Sequence, residues 1–303
     1  MALFEDRSWS SRDGLRLHFR DYPARENPGP DSRPPLLCLH GLTRNARDFE
    51  DLAARLSGQW RVICPDMRGR GDSDYARDPM TYTPVQYFDD IEALLEEQAI
   101  TRFVAIGTSM GGLLTMMLAA RTPDRVAAAV LNDIGPEIDP AGLARIGEYV
   151  GQGRSHETWV HAARALQDSF HDTYPRYELA DWLRMAKRVM VIGSGGRIVF
   201  DYDMNIAVPF AAPQGATPAP DMWPMFDALL GKPLLVVRGG LSDILSADTA
   251  ARMAERGTGH DTGRDTGRGS DTELVTVPDV GHAPTLDEAP CVAAIDRLLA
   301  RVS

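Results

Sequence analysis

An apolar run, FVAIG (103–107), leads directly into GTSMG (107–111), and a stretch of helix formers, GLLTMMLAAR (112–121), leaves it. A strand that turns at once into a helix is one half of a parallel βα unit, and the G-x-S-x-G at the junction is moderately specific on its own and gains from its strand-to-helix context. Glycines on both sides let the chain bend sharply, and the bend lifts the central side chain clear of the sheet, near the backbone N–H groups of the helix start. Ser109 is therefore a candidate nucleophile.

A serine hydroxyl is a weak nucleophile at neutral pH. It needs a histidine to take its proton and a carboxylate to hold the imidazole in the right tautomer. Of the seven histidines, His282 fits best: it follows the β-like run LVTV (274–277) in a loop containing Pro and Gly, ahead of a final amphipathic pattern at 288–300. His18 lies in an N-terminal hairpin pattern, His156, His161 and His171 lie in a helical segment, and His260 lies in a Gly-rich repeat. For the acid, PLLVVRGGLSDIL (233–245) reads as a buried strand whose Gly-Gly turn exposes Asp243. Asp133 is the alternative, since it ends another apolar run, AAAVLND (127–133). The oxyanion donors are expected from the backbone N–H groups of Leu42, after the strand LLCLH (36–40), and of Met110, the residue after the nucleophile. His40 reads as a structural residue, and Thr43, Arg44 and Asn45 as a solvated loop, with a hydrogen bond to a polar substrate group as the alternative.

Strand-like runs recur at 36–40, 61–65, 103–107, 127–132, 234–238 and 274–277, with helical patterns between most of them. That rhythm suits a doubly wound, mostly parallel sheet. LRLHFRDY (15–22) alternates as an N-terminal hairpin strand, and RENPGPDSRPP (25–35) reads as a surface connector. Between Asp133 and Pro233 the rhythm breaks. The gap holds helical patterns at 142–150, 156–170 and 177–191 and reads as a helical cap, residues 135–226, inserted after the sixth strand into a core of 1–134 and 227–303. Its aromatics, with Trp159, Trp182 and Phe210 as candidate pocket residues, favour a bulky apolar or aromatic substrate. The tandem GTGHDTGRDTGRGSDT (257–272) is too polar to build a core and reads as a surface loop.

Together HGLTRN (40–45), DMRGRGDSD (66–74), GTSMGG (107–112), GGLSDIL (239–245) and VGHAP (280–284) make the chain resemble the α/β-hydrolase-fold serine hydrolases. The second motif resembles the branch that includes enol-lactonases, cofactor-free haloperoxidases, carbon–carbon bond hydrolases and epoxide hydrolases. The resemblance implies the order Ser109, Asp243, His282 and a two-step acyl transfer with neither metal nor organic cofactor. A serine rather than an aspartate at the elbow disfavours an alkyl-enzyme route. The carbon–carbon hydrolases share S-M-G-G but usually carry Asn where this chain has Thr108. A small-molecule carboxylic ester or lactone is thus the expected substrate. Carbon–carbon cleavage, perhydrolysis and a non-enzymatic small-molecule receptor are the alternatives.

Composition narrows the partners. The 303 residues are 44% hydrophobic, enough for one large core, and carry a net charge of −11 without a basic cluster, which argues against nucleic acid and anionic membranes. No apolar run is long enough to span a bilayer, and the first residues lack the basic-then-apolar pattern of a secretory signal. Three cysteines without disulfide or metal-ligand spacing fit a reducing compartment, so the cytoplasm is the default.

Overall fold

A computed structural model of the protein describes residues 3–24, 33–211, 220–259 and 272–302. Most of the Pro-rich connector and of the Gly/Asp/Thr/Arg repeat, with His260, lies outside the described residues.

The main sheet holds β1 (Glu5–Ser10), β2 (Arg16–Tyr22), β3 (Leu36–Leu39), β4 (Val62–Pro65), β5 (Phe103–Thr108), β6 (Val126–Asn132), β10 (Leu234–Gly239) and β11 (Thr272–Val277). Their order across the sheet is β1-β2-β4-β3-β5-β6-β10-β11. The β1–β2 and β2–β4 pairs are antiparallel and the others parallel. The strands expected from the apolar runs all form, and Ser11 closes the first hairpin by accepting the Gly14 amide and donating its own amide to Leu15.

The central strands are apolar on both faces because helices cover both. Along β5, Phe103 and Ala105 enter one core cluster while Val104 and Ile106 enter the other, as the two-residue period requires. On the first face lie α2 (Pro84–Glu97), α3 (Met110–Arg121), α8 (Trp223–Asp227) and α9 (Ala247–Gly259), and on the second α1 (Glu50–Leu56) and α10 (Ala289–Leu299). Thr83 begins α2 by accepting the Gln86 amide, and Pro84 at the first helical position suits a missing N–H donor.

The long insertion carries α4 (Pro140–Tyr149), α5 (Trp159–Phe170), α6 (Leu179–Val189) and the short α7 (Val208–Ala211). The three larger helices fall where the periodicity put them. A reading of the insertion as purely helical is corrected by a three-stranded antiparallel sheet of β7 (Ser155–His156), β8 (Met190–Ile192) and β9 (Ile198–Phe200), ordered β7-β9-β8. The reason is local: VIGSGGRIVF places β-branched residues on both sides of a Gly-rich turn, where the Gly193 amide bonds the Arg197 carbonyl. Tryptophan 182, Met185 and Val189 of α6 pack with Ala162, Ala163 and Leu166 of α5 into a separate core. Helix α8 packs on α3, so the sheet body resumes by Trp223, a few residues before the expected boundary.

Candidate active site

The elbow after β5 is built by two glycines that have no room for a side chain. A β-carbon on Gly107 would lie 2.3 Å from the Gly111 carbonyl oxygen, and one on Gly111 would lie 1.9 Å from the Leu39 carbonyl oxygen. Helix α3 thus crosses the strands at backbone distance. Ser109, caught between, has φ 52° and ψ −115°, a conformation that L-residues rarely hold without support. Support comes from the next strand: the Ser109 amide donates to the Asn132 carbonyl at 2.9 Å.

Ser109 Oγ lies 2.8 Å from His282 Nε2, and His282 Nδ1 lies 2.8 Å from Asp133 Oδ2. A carboxylate can only accept, so Nδ1 carries the proton and Nε2 faces the hydroxyl as an acceptor. Asp133 is fully buried and sits at φ 55° just past β6. Its carboxylate takes three donors: the Gly239 amide at 2.7 Å, Ser242 Oγ at 2.6 Å and the imidazole. Its own amide donates to the Val237 carbonyl.

The pairing of His282 with Asp243 expected from the chain is not what forms. Asp243 does stand past the end of β10, but the turn carries Ser242 back toward Asp133 and leaves Asp243 facing the insertion. There Arg145 of α4 grips it through Nε and, at 2.8 Å, through Nη2. Burial alone would raise the Asp243 carboxyl, but the Arg145 hydrogen bonds and charge outweigh it and hold the group below the usual carboxylate range. The two candidate acids end neighbouring strands, so only the path of a three-residue turn decides between them.

The loop bearing His282 is braced on both sides. The Gly281 amide donates to the Thr173 carbonyl at 2.7 Å, and the Tyr174 hydroxyl donates to the Ala283 carbonyl at 2.8 Å. Both partners belong to the insertion. From the sheet side, Asn132 Nδ2 donates to the Pro284 carbonyl at 2.8 Å.

His40 is fully buried: Nδ1 donates to the Gly41 carbonyl at 2.7 Å and Nε2 accepts the Met67 amide at 3.0 Å. Burial pushes its pKa down to about 4, so the ring is neutral. The Gly41 carbonyl also accepts the Arg44 amide, and Arg70 Nε donates to the Leu42 carbonyl. With the Gly41 carbonyl tied back, the trans peptide aims the Leu42 N–H the opposite way. Among the described residues, neither the Leu42 nor the Met110 amide donates to a protein acceptor.

Above Ser109 and His282 opens a cavity of about 350 Å³, the size of a small-molecule site, between the strand ends and the insertion. Its apolar wall comes from Tyr149, Leu166, Phe170, Tyr174, Met185 and Phe200. Trp159, Trp182 and Phe210 do not line it. Trp182 turns into the α5–α6 core, Trp159 packs against the same cluster, and Phe210 stays exposed, because the inward stripe of an amphipathic helix fills its own core first. The loop expected to be solvated also differs: Asn45 is buried and caps the short 3₁₀ turn Ala46–Phe49, while Thr43 and Arg44 face the cavity. Arg145, Tyr149 and Ser242 carried no sequence signal that singled them out.

His18, Asp66 and Asp72 are the one group among the described residues whose ligand atoms lie close enough together to hold a metal. Asp66 already accepts the Ala46 and Asp72 amides and bonds His18 Nδ1, so its oxygens are committed to joining loops. No helix among the described residues is long and apolar enough to cross a membrane.

The chain is similar to a 3-hydroxybutyrate-oligomer hydrolase of Cupriavidus necator, at 36% identity over 264 residues and 85% of each chain. It is 30% identical over 222 residues to a 2-(acetamidomethylene)succinate hydrolase of Mesorhizobium japonicum, covering 73% of this chain and 76% of that one. A crystal structure of an alpha/beta hydrolase from Novosphingobium aromaticivorans DSM 12444 superposes with a TM-score of 0.90 at 65% identity over the whole of both chains. Residues 34–289 match the family described by its alpha/beta hydrolase fold, and with the strand order and the serine elbow in place the chain belongs to the α/β-hydrolase family.

Proposed function

We propose that the protein is a serine hydrolase that cleaves a small-molecule carboxylic ester or lactone through an acyl-enzyme, with Ser109, His282 and Asp133 as its catalytic triad. The observation that carries this reading is the unbroken line of hydrogen bonds from Ser109 Oγ through His282 to a buried Asp133, at the base of a cavity large enough for a small ligand. Ser109 Oγ attacks the carbonyl carbon as His282 Nε2 takes its proton, and Asp133 stabilises the imidazolium that forms. The Leu42 and Met110 amides receive the developing oxyanion, in a loop geometry that His40 and Arg70 maintain. His282 then gives its proton to the leaving alcohol, and water repeats the sequence to release the acid. The insertion that follows β6, up to the start of α8, acts as a cap that walls the cavity. The similarity to a hydrolase of 3-hydroxybutyrate oligomers supports an ester of a short hydroxy acid as the substrate.

The test is steady-state hydrolysis of a panel of aryl and alkyl esters, lactones and linear 3-hydroxybutyrate oligomers by wild type and by Ser109→Ala, at neutral pH without added metal. Turnover that the substitution abolishes is expected. Turnover of no ester by the wild type would overturn the reading and raise carbon–carbon cleavage and ligand reception in its place.

A further inference from the structure

The protein is acidic overall, yet its cavity is lined by four arginines, Arg44, Arg145, Arg154 and Arg188, against two carboxylates, Asp48 and Glu148. Counting lining residues does not settle the local charge, because Asp243 pairs with Arg145 and Glu50 and Asp51 pair with Arg188 from behind the wall. The four arginines are not equivalent. Arg188 is spent on structure: its Nε holds Glu50 at 2.9 Å and its Nη2 holds Asp51 at 2.5 Å, tying α6 to the sheet body. Arg154 is exposed, at the rim.

Arg44 is different. It follows the loop of the Leu42 amide, and its own amide is fixed to the Gly41 carbonyl. A β-carbon on Gly41 would lie 3.4 Å from Arg44 Cγ and 3.7 Å from Ser109 Cβ, so the arginine stem and the nucleophile flank the same point. Asp48 engages only Nε, at 2.8 and 2.9 Å. Among the described residues the hydrogen bonds of the Arg44 side chain run from Nε alone, and the side chain is 25% exposed. Neither Nη atom is among the buried polar atoms left without a partner, so the edge is open to solvent and free to meet a planar, two-oxygen acceptor with two parallel hydrogen bonds. Across the cavity Arg145 spends Nε and Nη2 on Asp243, which does not line the cavity, and keeps Nη1 without an acceptor among the described residues.

We propose that the Nη edge of Arg44, helped by Nη1 of Arg145, binds a carboxylate of the substrate, so that the preferred ester is an anionic one, such as a monoester of a short dicarboxylic acid or a linear hydroxy-acid oligomer with a free acid end. The assignment rests on the ester-hydrolase reading for its chemistry but not for its binding.

Two measurements separate the two. In the first, kcat/KM is measured for monomethyl esters of succinate, glutarate and adipate and for the corresponding dimethyl esters, with wild type, Arg44→Gln, Arg44→Lys and Arg145→Gln, each checked for an unaltered melting temperature. Wild type should favour the best monoester over its diester by roughly tenfold or more, as charge-assisted hydrogen bonds allow. Arg44→Gln should lose most of that preference through KM, Arg44→Lys should recover part, and Arg145→Gln should lose less. In the second, binding of the same monoesters to Ser109→Ala and to Ser109→Ala with Arg44→Gln is followed by calorimetry. Binding to the first that weakens at least about tenfold in the second supports the carboxylate site even where no ester turns over, in which case only the ester reading fails. Equal wild-type activity on monoesters and diesters, or a preference that survives Arg44→Gln, overturns the site and leaves the ester reading standing.

Discussion

Strands β6 and β10 lie side by side, and each is followed by an aspartate, but the two carboxylates are held in opposite ways. Asp133 is fully enclosed and surrounded by an amide, a hydroxyl and an imidazole, with no arginine or lysine on it. Asp243 is 38% exposed and locked to one arginine. Neutral donors leave a carboxylate its charge, which a neighbouring imidazole can then feel; a guanidinium cancels it. The first arrangement suits a group that must stabilise a cation formed during a reaction. The second suits a strut, joining the turn after β10 to helix α4.

The sharpest way to break this contrast is to exchange the two losses. Asp133→Asn should lower kcat/KM for an ester by about 10⁴-fold, as removal of the orienting carboxylate does elsewhere, whereas Asp243→Asn should stay within about tenfold of wild type. The reverse result would return the catalytic role to Asp243.

His40 offers a third mode, burial with no charge at all, and it is read through stability. Its folded pKa, about 4, lies below the ordinary value of 6.5. The unfolded chain therefore binds the extra proton between those values. The stabilisation is fully present above pH 6.5 and is lost as pH falls to about 4, amounting to about 3 kcal/mol. Chemical denaturation of wild type and His40→Asn at pH 7 and pH 4 should show their stability difference narrowing by about that amount. A difference independent of pH would mean that the ring is not held neutral.

Smaller again is Ser242→Ala. It removes one donor from Asp133 and the acceptor of the Ile244 and Leu245 amides, and should cost roughly tenfold in kcat with little change in KM. An effect confined to KM would place Ser242 with the substrate rather than with the acid. Smallest is the stability of Asp243→Asn: a half-exposed ion pair is worth under about 1 kcal/mol, so the melting temperature should move by only a few degrees.

What the chain disclosed in advance, and what it hid, follows the same line between backbone and turn. Ser109 and His282 were legible because glycines and a strand end dictate where those side chains emerge. The central strands β3 to β6 and β10 were legible because both their faces are buried, which leaves continuous apolar runs. The carboxylate that bonds His282 was not, since Asp133 and Asp243 carry the same local signal and only the fold of Gly239 to Ser242 separates them. The cavity wall was hidden for a different reason. Trp182 and Tyr149 both lie on amphipathic helices, and which one faces a ligand depends on how the insertion packs against itself before it meets the sheet. Arg44 looked like a loop residue because nothing in HGLTRN tells which of its polar side chains is enclosed.

One pair of hydrogen bonds has a mechanical meaning. Ser109 and Asp133 hang from adjacent strands stitched together by the Ser109 amide and the Asn132 carbonyl, so their spacing is set by the sheet. His282 hangs from a loop whose two nearest anchors, Thr173 and Tyr174, belong to the insertion, while Asn132 tethers Pro284 beyond them. Drawing the insertion away from the sheet would break those two anchors and leave the loop held by the tether alone, with Ser109 and Asp133 still in place. Under the proposed mechanism, an insertion drawn back to admit a large substrate would in the same motion loosen His282 from Ser109, so opening and proton transfer would exclude one another.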